Sequence, residues 1–393
     1  MALVNIHIYQ STMTHESRIF KITKSLAVAG IFDKIVIVGK WEEGLSRDEQ
    51  IDDIRSCRRL PTWFRTTGSG TLRKLLLTTE WMVRVYREAV RLRPNCVNCH
   101  SLIVLPLGVA LKLRTGCRLI YDTHELETET SVSIGMRKWI AKLSERTLIG
   151  MADWIFVVGD EIATWYRSAY PGRNVSVIRN VPAAPRGDVH RSHAIRSCFG
   201  INEHEMLFLY QGLIDKGRGI ELLCRIFSRL PMDKHIVFLG YGDLLEVVED
   251  AARRNPNIHY HPAVKPDEVP LYTGEADVGL SLIENVSLSY YHSLPNKIFE
   301  YINCGVPVIV SDFPEMGSIV DTHRIGWKSE LIEDHIQQLI EGITPEQVAE
   351  IRPAVLACRG FFSWEKEEPL LLTVYRDLFP SVSSSDNSSR FAA

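Results

Sequence analysis

Short apolar runs alternate with amphipathic segments along most of the chain, an order typical of a parallel sheet covered by helices. In the first half we predict strands at residues 4–9, 34–38, 96–99, 118–121, 154–158 and 175–178. The helices between them are predicted at 17–29, 72–92, 104–113, 136–149 and 161–168. The polar stretch 39–69 predicts loops over the surface.

The pattern starts again after a break at residues 181–190, where prolines and a glycine are typical of a linker. The second set of strands is predicted at 206–210, 235–239, 258–260, 278–282 and 306–310. Its helices are predicted at 219–230, 244–254, 267–275, 297–304, 314–320, 332–343, 345–358 and 364–379.

These patterns predict an α/β protein with two Rossmann-like, doubly wound domains, at residues 1–180 and 191–360. Helix 364–379 is expected to pack back on the first domain, and the Ser-rich tail 381–393 to be disordered. We expect the carboxyl ends of both sheets to face a central cleft, because open α/β sheets bind ligands at that edge.

Composition narrows the class of protein. The net charge of −3 argues against general nucleic-acid binding, which requires a strongly basic domain. The eight cysteines are scattered through apolar runs, as buried thiols of a cytoplasmic protein are. The C-x-x-C-H sequence at 96–100 matches a haem-attachment motif, but it lies in a predicted strand and no export signal is visible. Apolar runs are too short to span a bilayer.

The segment 289–320 carries the most chemical information. Ser293, Asn296 and Lys297 offer hydroxyl, amide and ammonium donors at a predicted helix entrance, where a helix N-terminus attracts anions. Glu300 follows one turn later on the same face, where its carboxylate can accept hydrogen bonds from a sugar diol. A phosphate site beside a diol acceptor is typical of a nucleotide-sugar pocket.

Residues 293–312, SLPNKIFEYINCGVPVIVSD, resemble the donor-site segment of family 4 (group 1) retaining glycosyltransferases of the GT-B fold. Residues 210–220 resemble the glycine turn and basic diphosphate loop of that family. Residues 119–125, LIYDTHE, resemble the strand and loop that carry a family histidine, and 146–180 resemble the end of the family's first domain. The four motifs occur in the family's order.

The resemblance implies transfer of a sugar from a nucleotide-diphosphate sugar to a glycan or lipid-linked hydroxyl acceptor, without a metal or cofactor. The implied catalytic residues are His124, Arg218 and Lys297. The implied donor-binding residues are Gly212, Lys216, Arg218, Ser293, Asn296, Lys297 and Glu300. Contacts to the acceptor or the sugar are expected from His15, His100, Asp122 and His292. Glu300 would bind the nucleotide ribose.

One departure from the family leaves alternatives open. The usual pair of glutamates stands eight positions apart, and eight positions before Glu300 stands His292. A catalytically weak GT-B scaffold protein is therefore a second hypothesis, and a nucleotide-sugar 2-epimerase a third. The basic region 58–93, with interleaved aromatic residues, also predicts contact with an anionic membrane surface, and a solvated helix face is the alternative.

Overall fold

The computed structural model describes residues 2–62, 70–131, 135–184, 187 and 192–380. The chain divides into two compact units, Met1–Arg179 with Glu367–Ala393, and Asn180–Lys366. The tail predicted to be disordered, 381–393, and half of the predicted linker 181–190 lie outside the described residues.

The first unit is built on an eight-stranded sheet. Its strands are β1 (Val4–Ile8), β2 (Lys34–Lys40), β3 (Asp48–Gln50), β4 (Arg55–Leu60), β5 (Cys96–Cys99), β6 (Arg118–Asp122), β7 (Trp154–Val157) and β8 (Val175–Val177). Its helices are α1 (Ser17–Val28), α2 (Thr71–Leu92), α3 (Leu105–Thr115), α4 (Gly135–Leu148) and α5 (Asp160–Ala169), with 3-10 turns at Leu102–Val104 and Ile149–Met151.

The strand order of this sheet is β3-β4-β2-β1-β5-β6-β7-β8, parallel except for the antiparallel pair β3 and β4. Its central strands are buried because helices cover both faces. The prediction of loops over 39–69 is wrong at β3 and β4. The sequence of β4, RSCRRL, is polar, yet Arg59 is buried because it bonds to the Thr12 and Met13 carbonyls and to Glu49.

The second unit contains a six-stranded parallel sheet, in the order β11-β10-β9-β12-β13-β14. Its strands are β9 (Met206–Leu213), β10 (Lys234–Tyr241), β11 (Ile258–Pro262), β12 (Val278–Ser281), β13 (Val308–Ser311) and β14 (Gly326–Ser329). Its helices are α6 (Ala194–Phe199), α7 (Ile220–Phe227), α8 (Leu245–Arg254), α9 (Val269–Thr273), α10 (Leu288–Tyr291), α11 (Asn296–Cys304), α12 (Pro314–His323), α13 (Glu333–Gly342) and α14 (Pro345–Cys358).

Helix α15 (Trp364–Leu378) begins in the second unit, and its residues from Glu367 onward belong to the first. Its buried Leu371, Val374 and Tyr375 supply the contacts that place this segment in the first unit. Two α/β units, one with a parallel sheet and one with a sheet that is parallel except at β3 and β4, confirm the predicted fold class. None of the described helices has the length and hydropathy that crossing a bilayer requires.

Candidate active site

The carboxyl end of β9 carries the glycine turn that the sequence singled out. Gly212 has a φ of +108°, which favours glycine. On the neighbouring strand, a Cβ at Gly240 would lie 1.9 Å from the Gly212 carbonyl oxygen, so only glycine fits there. A Cβ at Gly212 itself would meet only Lys297 Cε, at 3.9 Å. The space above Gly212 is therefore open toward Lys297.

The loop after β9 is braced by Glu284. The Glu284 amide donates to the Gly217 carbonyl at 2.9 Å, and the Gly219 amide donates to the Glu284 carboxylate at 3.3 Å. Arg218 is half-buried between these glycines, and its Nε has no hydrogen-bond partner in the described part of the chain. Lys216 is exposed. The loop therefore places the Arg218 side chain in a half-buried position and leaves the Lys216 side chain in solvent.

Lys297, at the start of α11, has a buried amino group. Only 7% of the residue is exposed, and among the described residues no hydrogen-bond acceptor reaches its Nζ. The Nζ lies 3.5 Å from the centre of the Tyr210 ring, so a cation–π contact partly replaces water. Burial, and next the Arg218 charge, hold the Lys297 pKa well below its usual range. A buried lysine side chain without a hydrogen-bond acceptor, beside a helix N-terminus, is suited to binding an anion.

Glu300 lies one helical turn from Asn296 and is half-buried. Its carboxylate accepts a hydrogen bond from Gln211 Nε2, and Gln211 Oε1 of the same side chain accepts one from Thr273 Oγ1 at 2.7 Å. The Tyr301 hydroxyl also accepts from the Gln211 amide at 3.2 Å. These contacts fix the direction of the Glu300 carboxylate.

Three further predicted residues border this site. Asn296 is exposed at the first position of α11, whose N-cap residue Pro295 makes no side-chain capping bond. The Ser293 hydroxyl donates to the Tyr290 carbonyl at 2.7 Å. His292 ends α10, is half-buried and packs its ring against Tyr291. The Ile298 amide donates to the Pro295 carbonyl at 3.1 Å, and the N-cap residue gives the amides before it no side-chain acceptor.

The carboxyl edge of the first sheet holds a second polar cluster, centred on Asp122 at the end of β6. Arg18 Nε donates to both Asp122 oxygens, at 3.1 and 3.0 Å, and Arg18 Nη2 donates to Oδ1 at 2.6 Å. His100 Nδ1 lies 2.9 Å from Oδ2. Although burial opposes ionisation, Arg18 and His100 hold the Asp122 pKa well below its usual range. Asp122 is therefore a buried carboxylate.

A chain of hydrogen bonds leads from Asp122 across the sheet. His7 Nδ1 lies 2.9 Å from His100 Nε2, and His7 Nε2 lies 3.0 Å from Asn5 Nδ2 and 3.3 Å from Asn98 Nδ2. The Tyr375 hydroxyl donates to Asn98 Oδ1 at 2.6 Å. Two amide donors make His7 Nε2 an acceptor, which assigns the His7 proton to Nδ1 and the His100 proton to Nδ1. Burial lowers the pKa of both histidines, as this neutral arrangement requires.

His124 is half-buried, and its Nε2 lies 3.7 Å from Asp122 Oδ2. The nitrogen and oxygen atoms of His100, Asp122 and His124 lie within 4.8 Å of one another, which is the one such group in the described ranges. The proton on His100 Nδ1 and the Arg18 guanidinium already occupy the carboxylate, so this set fits hydrogen bonding better than a cation. His15 is exposed just before α1.

Residues 205–344 match the family model described as Glycosyl transferases group 1. The second unit is a group 1 glycosyltransferase domain. The match contains the glycine turn, Arg218, Lys297 and Glu300, so the second-unit donor residues named from the resemblance lie inside it. No curated protein sequence matches the chain significantly.

Solved structures share the fold of the whole chain. The sucrose-phosphate synthase of Thermosynechococcus elongatus has a TM-score of 0.77 at 15% identity, covering 97% of this chain and 100% of that one. Anabaena Alr3699/HepE in complex with UDP-glucose has a TM-score of 0.72 at 12% identity, covering 95% and 100%. The lipopolysaccharide outer core galactosyltransferase WaaB has a TM-score of 0.63 at 12% identity, covering 95% of this chain and 99% of that one. These structures confirm the GT-B fold, and the family-model match at residues 205–344 confirms the glycosyltransferase class.

The structure brings together only part of the predicted site of this glycosyltransferase. Gly212, Lys297 and Glu300 meet in the second unit, with Arg218 acting electrostatically on Lys297. In the first unit, His100 Nδ1 lies 2.9 Å from Asp122 Oδ2. The polar atoms of both residues already contact buried groups of the protein. Their role toward a sugar or an acceptor therefore stays a prediction.

Sequence reasoning missed Gln211, Arg18 and His7. Gln211 had a detectable signal, since it stands inside the glycine-turn motif. His7 had a weaker one, a polar residue in the apolar strand VNIHI. No sequence signal pointed to Arg18, because it stands 104 residues from Asp122 in the chain. The motif cysteines Cys96 and Cys99 are fully buried in β5, where burial raises their pKa.

Glu127, after β6, supplies a pH-dependent test of the first-unit cluster. Burial, and then Glu125 and other nearby carboxylates, raise its pKa to about 8. The folded state therefore holds a proton that the unfolded chain releases above its ordinary value of 4.5. Stability is full below pH 4.5 and falls as pH rises toward 8, by at most about 1.4 kcal/mol per pH unit.

We expect Glu127→Gln to remove this slope, so that the variant gains stability over the wild type as pH rises from 5 to 8. Urea unfolding at several pH values measures the difference. Comparing the two proteins cancels His7 and His100, whose lowered pKa values give the opposite slope below pH 6.5. Glu43→Gln, at an exposed position, is the control. A constant difference between Glu127→Gln and wild type would contradict the assignment.

Proposed function

We propose that this glycosyltransferase moves a sugar from a nucleotide-diphosphate donor to a hydroxyl acceptor with retention of anomeric configuration, in polysaccharide or glycolipid assembly. The observation that carries the proposal is the buried Lys297 amino group, which makes no hydrogen bond to any described acceptor. A diphosphate would supply that missing partner. The HepE neighbour of the same fold is in complex with UDP-glucose, which supports a donor of this class.

The second unit would bind the donor through three kinds of group. Lys297 and Arg218 would pair with the diphosphate oxygens, and the first amides of α11 would donate to them. The open space above Gly212 would admit the phosphates close to the backbone. Glu300, directed by Gln211, would accept hydrogen bonds from the ribose hydroxyls.

In the reaction, the bond between the anomeric carbon and the phosphate oxygen breaks while a bond to the acceptor oxygen forms on the same face. The departing diphosphate takes the proton of the acceptor hydroxyl. Negative charge grows on the diphosphate as it leaves, and Lys297 and Arg218 stabilise that charge in a partly water-free site. We propose that His124 contacts the transferred sugar in the substrate complex.

Replacing Glu300 by alanine tests the ribose contact. We expect UDP affinity and sugar transfer to fall about 10- to 100-fold, because hydrogen bonds to a charged group are worth about 1.5–3 kcal/mol. Calorimetry with UDP, GDP, ADP and dTDP also identifies the base. Glu246→Ala, at an exposed position of α8, is the matched control. Near-normal UDP binding and transfer by Glu300→Ala would contradict the assignment.

The second candidate function is a scaffold with little catalysis, which His292 in place of the usual glutamate favours. A protein that binds none of the four nucleotides, and consumes no nucleotide sugar, supports this candidate. Binding with slow hydrolysis of the donor supports the transferase.

A further inference from the structure

Helix α4 presents an apolar stripe to solvent. Met136 is 78% exposed and Trp139 64% exposed, and Ile140 and Leu143 are also exposed. These residues stand at positions i, i+3, i+4 and i+7, a spacing that normally marks the buried face of a helix. The apolar side of α4 therefore faces solvent, whereas the apolar side of an amphipathic helix normally faces the core.

The opposite side of α4 explains why the helix cannot turn this stripe inward. Glu145 is buried, and it accepts hydrogen bonds from the hydroxyl groups of Tyr121 at 3.1 Å, Tyr166 at 2.7 Å and Tyr170 at 2.9 Å. Turning α4 would remove three hydrogen-bond donors from a buried carboxyl group, which is strongly unfavourable. The exposure of Trp139 is thus fixed by the packing of the unit.

Helix α3, the neighbour of α4, carries a further exposed apolar residue. Helix α3 packs against both α2 and α4, and the three helices form what we call the three-helix face. On α3, Leu113 is 73% exposed. Ile103, in the turn before α3, is exposed as well, whereas Leu76 and Val83 of α2 line a pocket with Leu60. Exposed apolar residues grouped on one surface mark interaction sites.

The charge of the three-helix face defines its partner. Helices α2, α3 and α4 contain eleven Lys or Arg and three Glu, in a chain whose net charge is −3. One of the three, Glu145, is buried. Lys138 and Lys142 pair with Glu129, while Arg114 and Arg146 are exposed beside the apolar residues. The face is thus apolar and cationic together.

We propose that the three-helix face docks on an anionic lipid surface. Met136, Trp139 and Ile140 would enter the boundary between headgroups and acyl chains, where tryptophan is favoured. The arginines would lie at the level of the phosphates and attract anionic headgroups. Neither the base nor the sugar of the donor enters this argument, so the proposal is independent of the proposed transfer reaction.

This face corrects the aromatic part of the membrane contact expected at 58–93. Trp81 is fully buried and donates its Nε1–H to the Gly39 carbonyl at 3.2 Å, so it cannot reach a bilayer. Tyr86 packs against the core, and Trp63 and Phe64 lie outside the described residues. The tryptophan of the docking surface is instead Trp139, on α4.

Flotation with lipid vesicles tests the proposal on the full chain. We expect the wild type to float with vesicles of phosphatidylcholine and phosphatidylglycerol, weakly with phosphatidylcholine alone, and less at high salt. The triple variant Met136→Ser, Trp139→Ser, Ile140→Ser is expected to lose about tenfold or more in partitioning. The charge variant Arg114→Glu, Arg146→Glu is expected to lose the preference for anionic lipid.

Val28→Ser is the matched control, because Val28 is 79% exposed on α1, outside the three-helix face. It should float as the wild type does. Failure of the wild type to float with anionic vesicles would overturn the proposal. So would a wild-type dimer in ultracentrifugation that becomes a monomer in the triple variant while flotation stays unchanged. UDP calorimetry on the same variants separates this result from the donor site, since their UDP affinity should equal that of the wild type.

Discussion

Lys297→Met is expected to make the protein more stable and unable to bind a nucleotide diphosphate. Lys297 is buried without a hydrogen-bond acceptor among the described residues, and burial lowers its pKa. The unfolded chain therefore binds more protons than the folded one below pH 10.5, so at neutral pH this lysine lowers the free energy of unfolding. Methionine fills a similar volume, and we expect a gain of about 1–2 kcal/mol.

Urea unfolding and UDP calorimetry on the same preparation measure the two effects. UDP affinity should fall about 100-fold or more, because a buried charge-assisted pair is lost. Lys265→Met, at an exposed position of the same unit, should change neither quantity. A variant that is destabilised yet still binds UDP would show that Lys297 is a structural residue.

Arg18→Met is expected to destabilise the first unit by about 3–5 kcal/mol, because it leaves the buried Asp122 carboxylate without its cation. Arg18 also donates to the Ile178 carbonyl, so its removal unsatisfies a second buried acceptor. The free energy of unfolding from denaturant titration measures the loss.

Two variants control this experiment. The double variant Arg18→Met, Asp122→Asn should recover part of the stability, because the uncompensated charge is gone. Arg225→Met removes an ion pair with Glu333 on the surface and should cost less than about 1 kcal/mol. A loss from Arg18→Met no larger than that from Arg225→Met would contradict a buried, charge-dependent cluster.

The central strands and most helices were predictable because their residues are apolar on both faces or at helical spacing. Ile19, Ile22 and Leu26 of α1 are buried as expected. Strand β4 was not predictable, because a run of arginines reads as solvent-exposed until its partners are known. Arg59 is buried only through carbonyls and a glutamate that lie 10 or more residues away.

The residues of the candidate site likewise include some that were predictable from sequence and some that were not. Lys297 and Glu300 stand in one continuous motif with Gly212 in another, so local sequence was enough to name them. The Asp122 cluster depends on His7 and His100, which are 93 residues apart and meet only because β1 and β5 are neighbours in the sheet. No local pattern encodes such a meeting.

The return of α15 to the first unit has a consequence for synthesis of the chain. The second unit occupies one continuous stretch, Asn180–Lys366, whereas the first needs residues from both sides of it. On the ribosome, the later part of the sequence can therefore complete its fold before the earlier part. Until Leu371 and Tyr375 have been synthesised, these side chains do not cover the first sheet, and Asn98 Oδ1 lacks the hydroxyl group of Tyr375 as its donor. A gene fragment ending at residue 179 would make an incomplete first unit, while the fragment 180–366 contains every residue of the second.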